Sequence, residues 1–279
     1  MLTVTAVEPQ TGGYVTVWPP GDPLPGTSNL NFQAARNVAT TVVVPVGADG
    51  EVRLFNGSYG VVHLIVDITG YVQSGQNPVH GAVWAWGGGF QGELGNGTTA
   101  NSAVPVAVFG LSDVTAVAGG GAAGYALRRD GTAWAWGSGV FGSLGNRTGI
   151  ASPVPVQVSG LTDATAIAAG DSTAYALRSN GTVWAWGNGS QGQLGNGFPL
   201  NSGVPGQVPA LNTATAIAAG NYTGYARLTD GTVRAWGYGV FGQLGNQAMS
   251  NSAVPVPVYG LTGVSAIASG GEAGFATTP

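Results

Sequence analysis

The residues with the greatest capacity for acid–base or nucleophilic chemistry are few and widely spaced in this sequence. The only histidines are His63 and His80, and cysteine is absent. His63 and Asp67 share one face of a predicted strand, but four extended residues separate them by about 13 Å, too far for a hydrogen bond. His80 lies in a predicted linker, where it is expected to be solvated. A serine–histidine–aspartate site is therefore not predicted.

Other polar residues favour structural roles. A serine recurs in every repeat, at position 102 and its equivalents, which is typical of a turn hydrogen bond rather than of a unique nucleophile. Glu93 has no acidic counterpart in the other repeats. No calcium-loop or histidine-rich spacing is present, and the glycine-rich segments lack the lysine and the strand–loop–helix context of a phosphate loop. We predict no metal and no cofactor.

Composition excludes some classes of function. The chain has 279 residues, with 8 basic and 12 acidic side chains and a net charge of −4, and only 7% of residues are charged. Nucleic-acid binding needs clustered cations, which this sequence lacks. No apolar run approaches the length of a membrane helix, so membrane insertion is not expected.

Internal repetition determines the organisation of most of the chain. Each repeat contains Ala-Trp-Gly, then Leu-Gly-Asn, then Ser-x-Val-Pro. A period near 50 residues indicates a solenoid, a propeller or another array. The repeats align without a gap over 81–130, 131–180, 181–230 and 231–279.

Each repeat is predicted to contain four short strands, because β-branched and aromatic residues form short runs between turn residues. Asp-Gly or Asn-Gly pairs at the repeat boundaries indicate tight hairpins. Four strands per repeating unit are typical of a propeller blade. In the first repeat the strands are predicted at 83–86, 104–108, 114–118 and 124–128.

The repeated tryptophans and leucines are interpreted as packing residues. Large aromatic rings fill the space where blade faces meet, and neighbouring glycines permit close backbone approach. The leucine of each Leu-Gly-Asn is expected to fix its loop to the core. These residues are Trp86, Trp136, Trp186, Trp236, Leu94, Leu144, Leu194 and Leu244.

The combined pattern over 81–279 resembles the regulator of chromosome condensation repeat, and its regularity resembles bacterial members of that family. The resemblance implies a β-propeller, usually of seven blades, and protein binding as the usual role. The family often has His-Ser after the Ala-Ala-Gly segment, and any role of that histidine is missing here. The pairs in its place are Ala123-Gly124, Thr173-Ala174, Thr223-Gly224 and Ala273-Gly274.

Residues 1–72 differ from the repeats. Their apolar runs, separated by turn residues, predict a small antiparallel β-sandwich-like domain, followed by a linker at 73–80. This segment also resembles a β module of exported proteins from high-GC Gram-positive bacteria. An extracellular or cell-surface protein is therefore expected, with its export signal outside this chain. The whole chain is predicted to be all-β.

Candidate binding residues occupy loop positions that vary between otherwise constant repeats. Binding residues gather in loops on a rigid scaffold, and aromatic side chains are frequent contact anchors. The alternative interpretation is neutral drift in exposed loops. The candidates are Phe90, Phe141, Arg147, Asp171, Phe198, Tyr222, Tyr238 and Phe241.

We predict a non-enzymatic binding or scaffold protein that presents propeller loops to a protein or polysaccharide. One alternative is a hydrolytic enzyme with a site at the propeller mouth or at the domain interface. Another is a structural spacer within a larger bacterial surface protein.

Closure of the array is the remaining question. The strands at 83–86 and 274–277 lack hairpin partners and are complementary to each other. Four blades shaped for a seven-fold ring span only about 206°. An open arc or partial propeller, with association of copies through its open edges, is favoured over a closed four-bladed ring.

Overall fold

The computed structural model describes residues 2–7, 9–18, 30–36, 38–42, 52–58, 63–68 and 81–279. The chain divides into two compact units, Met1–Gln76 and Asn77–Pro279. The predicted linker at 73–80, and His80 within it, lie outside the described residues.

The first unit contains two three-stranded antiparallel sheets, with strand orders β4-β1-β6 and β3-β2-β5. Val4 and Ala6 from one sheet and Val15 and Val17 from the other are buried in one cluster, as alternation in a sandwich requires. The sandwich-like prediction is confirmed. The strands are β1 Leu2–Val7, β2 Gly13–Trp18, β3 Leu30–Phe32, β4 Val38–Val42, β5 Arg53–Asn56 and β6 His63–Ile68.

The second unit is built from repeated antiparallel strands, as predicted. Three complete four-stranded sheets, which we call blades, comprise β9 to β12, β13 to β16 and β17 to β20. β7–β8 and β21–β22 are two-stranded half-blades. The strands are β7 Trp84–Gly87, β8 Ser102–Ala107, β9 Val114–Gly119, β10 Ala123–Arg128, β11 Ala133–Gly137, β12 Ser152–Gln157, β13 Ala164–Ala169, β14 Thr173–Arg178, β15 Val183–Gly187, β16 Ser202–Gln207, β17 Ala214–Ala219, β18 Thr223–Leu228, β19 Val233–Gly237, β20 Ser252–Pro257, β21 Ala266–Gly270 and β22 Ala273–Thr277.

The Asp-Gly and Asn-Gly hairpins join the last strand of one sequence repeat to the first strand of the next, so the blades are offset from the repeats. Gly131 adopts a φ of +79° in the turn that joins β10 to β11, and a Cβ there would lie 2.6 Å from the carbonyl oxygen of Thr162. Asp130 Oδ1 accepts hydrogen bonds from the backbone and hydroxyl of Thr132. Each complete blade therefore takes two strands from one repeat and two from the next, as the hairpin signals predict.

The repeated tryptophans join one blade to the next. Trp136, Trp186 and Trp236 are buried, and each indole nitrogen donates to the carbonyl of the residue 43 positions earlier. The leucine of every Leu-Gly-Asn is also buried. Apolar clusters draw residues from two successive blades, so each blade depends on its neighbour for part of its core.

Trp86 departs from the expectation of a buried blade tryptophan, since 44% of its surface is exposed. It lies on β7, the first strand of the repeat array, where no earlier described blade supplies a carbonyl or an apolar face. Within the described residues, β7 pairs only with β8, and β22 pairs only with β21.

Candidate functional site

The long loops all leave the blades at one edge. In the first complete blade, Gly119 pairs with Gly124 and Gly137 pairs with Ser152, so the β9–β10 turn and the β11–β12 loop lie at the same end of the sheet. We call this edge the long-loop face. It comprises the turns 120–122, 170–172, 220–222 and 271–272 and the loops 88–101, 138–151, 188–201 and 238–251.

The opposite edge, which we call the short-turn face, carries hairpin turns that are closed by their own hydrogen bonds. The hydroxyl and backbone N–H of Thr132 hold the pKa of Asp130 below its usual value, and Thr232 does the same for Asp230. Arg178 pairs with Asp163 here and lies over the ring of Trp184, 5.0 Å from the guanidinium carbon to the ring centroid.

All eight predicted binding residues lie on the long-loop face, because each belongs to one of its turns or loops. Their side chains differ in exposure: the four phenylalanines and Arg147 are exposed, whereas Asp171, Tyr222 and Tyr238 are half-buried. The phenylalanines are Phe90, Phe141, Phe198 and Phe241.

Three of these residues, from the turn 220–222 and the loop 238–251 of the last complete blade, form one aromatic cluster. The Tyr222 and Tyr238 ring centroids are 6.2 Å apart, and those of Tyr238 and Phe241 are 5.9 Å apart, both edge-to-face. The backbone N–H of Tyr238 donates to the carbonyl of Tyr222, which fixes the two loops side by side. We refer to Tyr222, Tyr238 and Phe241 as the aromatic cluster.

The loop beneath the aromatic cluster is anchored by amide side chains. The Gln243 side-chain oxygen accepts from the backbone N–H of Phe241 at 3.0 Å, and the Asn251 side-chain oxygen accepts from Gly239 at 3.1 Å. The Tyr225 hydroxyl donates to the carbonyl of Gln243 at 2.9 Å. Phe241 nevertheless keeps 65% of its surface exposed, so a rigid loop presents an accessible ring.

Arg147 and Asp171 also take part in blade-to-blade contacts. The backbone N–H of Arg147 donates to the carbonyl of Gly203 in the next blade. Arg147 itself has a φ of +72°, in the same left-handed region as Gly97 and Gly197 at the equivalent positions of other repeats. The backbone N–H of Asp171 donates to Asn221. Their backbones are therefore scaffold elements, whatever their side chains bind.

Sequence reasoning missed three apolar side chains on the same face, Ile150, Leu200 and Met249, all of which are exposed. They lie in loops whose residues differ between repeats, and that sequence variation could have identified them. Together with the aromatic cluster they make the long-loop face rich in exposed apolar side chains, which is typical of a contact surface.

Acid–base groups are not brought together by the described structure. His63 and Asp67 lie in β6, where they pair with Val7 and Thr3 of β1, and their side chains are outside the description. In the described ranges, no three histidine, aspartate or glutamate side chains lie together as metal ligands would. No helix in the described part of the chain has the length and apolar character of a membrane span.

Comparison with known families gives a match over most of the chain. The Regulator of chromosome condensation (RCC1) repeat profile matches residues 80–127, 130–177, 180–226 and 230–276. A second profile of the same description matches residues 164–193 and 214–243. A search of the curated proteins finds no match.

Solved structures with a similar fold include human WBSCR16, at 25% identity and a TM-score of 0.65 over 71% of this chain and 54% of that one. Another is Prp20p from Saccharomyces cerevisiae, at 23% identity and a TM-score of 0.61 over 68% of this chain and 50% of that one. The chain therefore spans about half the length of these solved structures. Yeast Prp20p binds Gsp1p and histones.

Proposed function

We propose that this chain, which belongs to the regulator of chromosome condensation repeat family, is a non-enzymatic scaffold that binds a protein through its long-loop face. The observation that carries the proposal is the aromatic cluster, where Phe241 is exposed beside two half-buried tyrosines. The binding of Gsp1p and histones by yeast Prp20p supports a protein as the partner class.

The physical argument rests on rigidity beneath an apolar surface. Buried tryptophans and leucines hold the blades, so the loops do not need to become ordered when a partner binds. Aromatic side chains contribute large contact areas with few rotatable bonds and are enriched among residues that dominate binding energy. The aromatic cluster is therefore the expected centre of the interface, and Ile150, Leu200 and Met249 are expected to extend it.

The proposed location is outside the cell or at its surface. This part of the proposal is supported by the resemblance of residues 1–72 to a module of exported bacterial proteins. The appropriate sources of a partner are consequently the culture medium and the cell envelope of the source organism.

The test compares capture by three forms of the full chain: the unaltered protein, a Tyr238→Ala/Phe241→Ala variant and a Tyr259→Ala control. Tyr259 follows β20 at the short-turn face and is 70% exposed, so its removal deletes an exposed aromatic ring away from the aromatic cluster. We expect a protein bound by the unaltered chain and the control to lose at least about 10-fold in affinity for the double variant.

Equal binding of that protein by the double variant would contradict the proposed interface. Specific retention of a polysaccharide, with no protein bound to any form, would contradict a protein partner and would favour the polysaccharide alternative. Affinity electrophoresis in polysaccharide gels provides that second measurement.

A further inference from the structure

The loop 138–151 on the long-loop face holds two bulky residues in a strained backbone conformation. Phe141 has a φ of +60° and Arg147 a φ of +72°, both in the left-handed region that residues other than glycine seldom adopt. In the four long loops, all of which the structure describes, Gln247 is the one other non-glycine residue with a positive φ. Strained conformations of this kind destabilise a fold and cluster at binding sites, where the surrounding structure holds them in place.

The strain at Arg147 is not required by the fold of the loop. The equivalent residues of the first and third repeats are Gly97 and Gly197, with φ of +85° and +89°. Their backbone N–H groups donate to carbonyls of the next blade, as that of Arg147 does to Gly203. Glycine would make the same backbone contact at position 147 without strain. The geometry of the loop therefore does not account for an arginine here.

The backbone around Arg147 is held firmly in place. Its N–H donates to the carbonyl of Gly203 at 2.9 Å. The Asn146 side-chain oxygen accepts from the backbone N–H of Thr148 at 3.1 Å and from its hydroxyl at 2.8 Å. A ligand that binds Arg147 consequently has to order only the side chain and not the loop, which lowers the entropic cost of binding.

The side chain of Arg147 is exposed and makes no hydrogen bond or ion pair with any residue that the structure describes. On the short-turn face, by contrast, Arg128 pairs with Asp113 and Arg178 pairs with Asp163. Arginine is well suited to ion pairs across an interface, because its planar guanidinium offers several donors in a fixed arrangement. A strained and unpaired arginine on a braced loop is therefore positioned to bind an anionic group of another molecule.

The charges of the long-loop face indicate which anion it is. In the turns and loops of this face, all of them described, Arg147 is the only basic residue, whereas Glu93, Asp171 and Glu272 are acidic. Phosphorylated ligands carry more than one negative charge and are recognised by clusters of arginine. A carboxylate carries a single charge and matches one guanidinium through two parallel hydrogen bonds. The face is thus complementary to an isolated carboxylate.

Exposed apolar side chains accompany Arg147 in the same loop. Phe141 is 47% exposed and Ile150 is 73% exposed. A Cβ built on Gly203 would lie 3.8 Å from the Cα of Gly142 and 3.9 Å from the Cα of Arg147, so the residue that follows Phe141 and Arg147 itself lie close together. A carboxylate bound at Arg147 would consequently lie beside an apolar surface.

We propose that Arg147 binds an aspartate or glutamate of a protein partner, and that Phe141 and Ile150 contact apolar side chains next to it. The proposal rests on the proposed binding role of the long-loop face and specifies the chemistry that one of its loops recognises. The guanidinium donates two parallel hydrogen bonds to the carboxylate, and exclusion of water by the apolar side chains strengthens them.

The test selects random peptides displayed on phage for binding to the full chain and then measures the affinities of the synthesised peptides. We expect selected peptides that carry aspartate or glutamate beside aromatic or aliphatic residues. Arg147→Gln should weaken their binding at least about 10-fold, as should replacement of the peptide's acid by its amide. Because both changes remove one contact, the amide peptide should bind the unaltered chain and Arg147→Gln equally.

Three further measurements separate recognition from a structural role. Gln247 has a φ of +67° at the equivalent position, so Arg147→Gln keeps a residue type that the loop accommodates and should melt within about 2 °C of the unaltered chain. Arg147→Gly should lose as much peptide affinity, although its melting temperature stays level or rises by up to about 4 °C as the strain is released. Arg129→Gln removes an exposed arginine from the short-turn face and should bind the peptides unchanged.

A selection in which no peptide binds the unaltered chain more tightly than Arg147→Gln would overturn the proposal, as would selected peptides that lack an acidic residue. A fall of more than about 4 °C in the melting temperature of Arg147→Gln would assign the residue a structural role instead. Peptides that still bind Arg147→Gln but are lost from Tyr238→Ala/Phe241→Ala would overturn only this proposal. Peptides that bind both variants unchanged would contradict the proposed function of the long-loop face as well.

Discussion

Trp186 and Tyr125 belong to neighbouring blades, and their rings meet edge-to-face with centroids 6.2 Å apart. Both donate a hydrogen bond to the same carbonyl oxygen, that of Ser143, at 2.9 Å. One backbone carbonyl inside an apolar interface thus accepts hydrogen bonds from two large aromatic side chains. The arrangement buries apolar area without leaving the indole or phenol unsatisfied.

Replacing Trp186 with alanine should lower the free energy of unfolding of the repeat unit by about 3–5 kcal/mol, as for other truncated buried aromatics. The side chain is fully buried, and its removal also takes one donor from the Ser143 carbonyl. Denaturant titration followed by circular dichroism measures the change.

Phe198→Ala is the matched control, because this ring is exposed on the long-loop face. Its effect on unfolding should lie within about 0.5 kcal/mol. Similar losses for the two variants would show that the tryptophan contact does not hold the blades together.

Gly195→Ala should be more destabilising than Gly245→Ala. Both glycines adopt positive φ, +63° and +59°, and a Cβ on either would lie 2.9 Å from a valine methyl group. Only at Gly195 does the new methyl group also meet an indole, that of Trp236. The difference between the two unfolding free energies therefore isolates the clash with the tryptophan.

The two glycine variants are compared side by side in the full chain. Thermal and denaturant unfolding supply the values. Equal destabilisation at both glycines would contradict the packing of each tryptophan against the Leu-Gly-Asn loop before it.

Alkaline pH should destabilise the repeat unit through its buried tyrosines. Burial raises the pKa of both Tyr125 and Tyr175 well above that of an exposed tyrosine. Above about pH 10 the unfolded chain releases these protons while the folded chain keeps them. The stability present below pH 10 is therefore lost as pH rises, by up to about 1.4 kcal/mol per pH unit for each tyrosine.

The Tyr125→Phe/Tyr175→Phe variant should show a shallower loss of stability than the unaltered chain between about pH 10 and pH 11. Denaturant midpoints measured across this range give the slopes. An unchanged slope in the double variant would mean that these phenols ionise in the folded protein as readily as in the unfolded chain.

The periodic sequence was sufficient to predict the blade architecture. Constant tryptophans and leucines mark packing positions, and Asp-Gly pairs such as Asp130-Gly131 mark hairpins, because both depend on local residue types. The exposure of Trp86 was missed, since burial of each tryptophan depends on the blade before it. A position can be equivalent in sequence and still lack the neighbour that buries it.

The long-loop face was only partly predictable. Variable positions identified loops that lie together on one face of the blades, but the aromatic cluster depends on the approach of Tyr222 and Tyr238 from separate loops of one blade. Strand register brings them together, because Thr223 pairs with Gly237 across β18 and β19. Propensity and composition carry no information about such a contact until that register is known.

Hydrogen exchange on the full chain with its captured protein partner tests the central claim most directly. We predict protection of the backbone amides in loop 238–251 and turn 220–222 on binding, with no change in the hairpin turns 129–132 and 179–182 of the short-turn face. Protection confined to the short-turn face, with the loop around Phe241 exchanging as in the free chain, would contradict the assignment of the long-loop face as the binding surface.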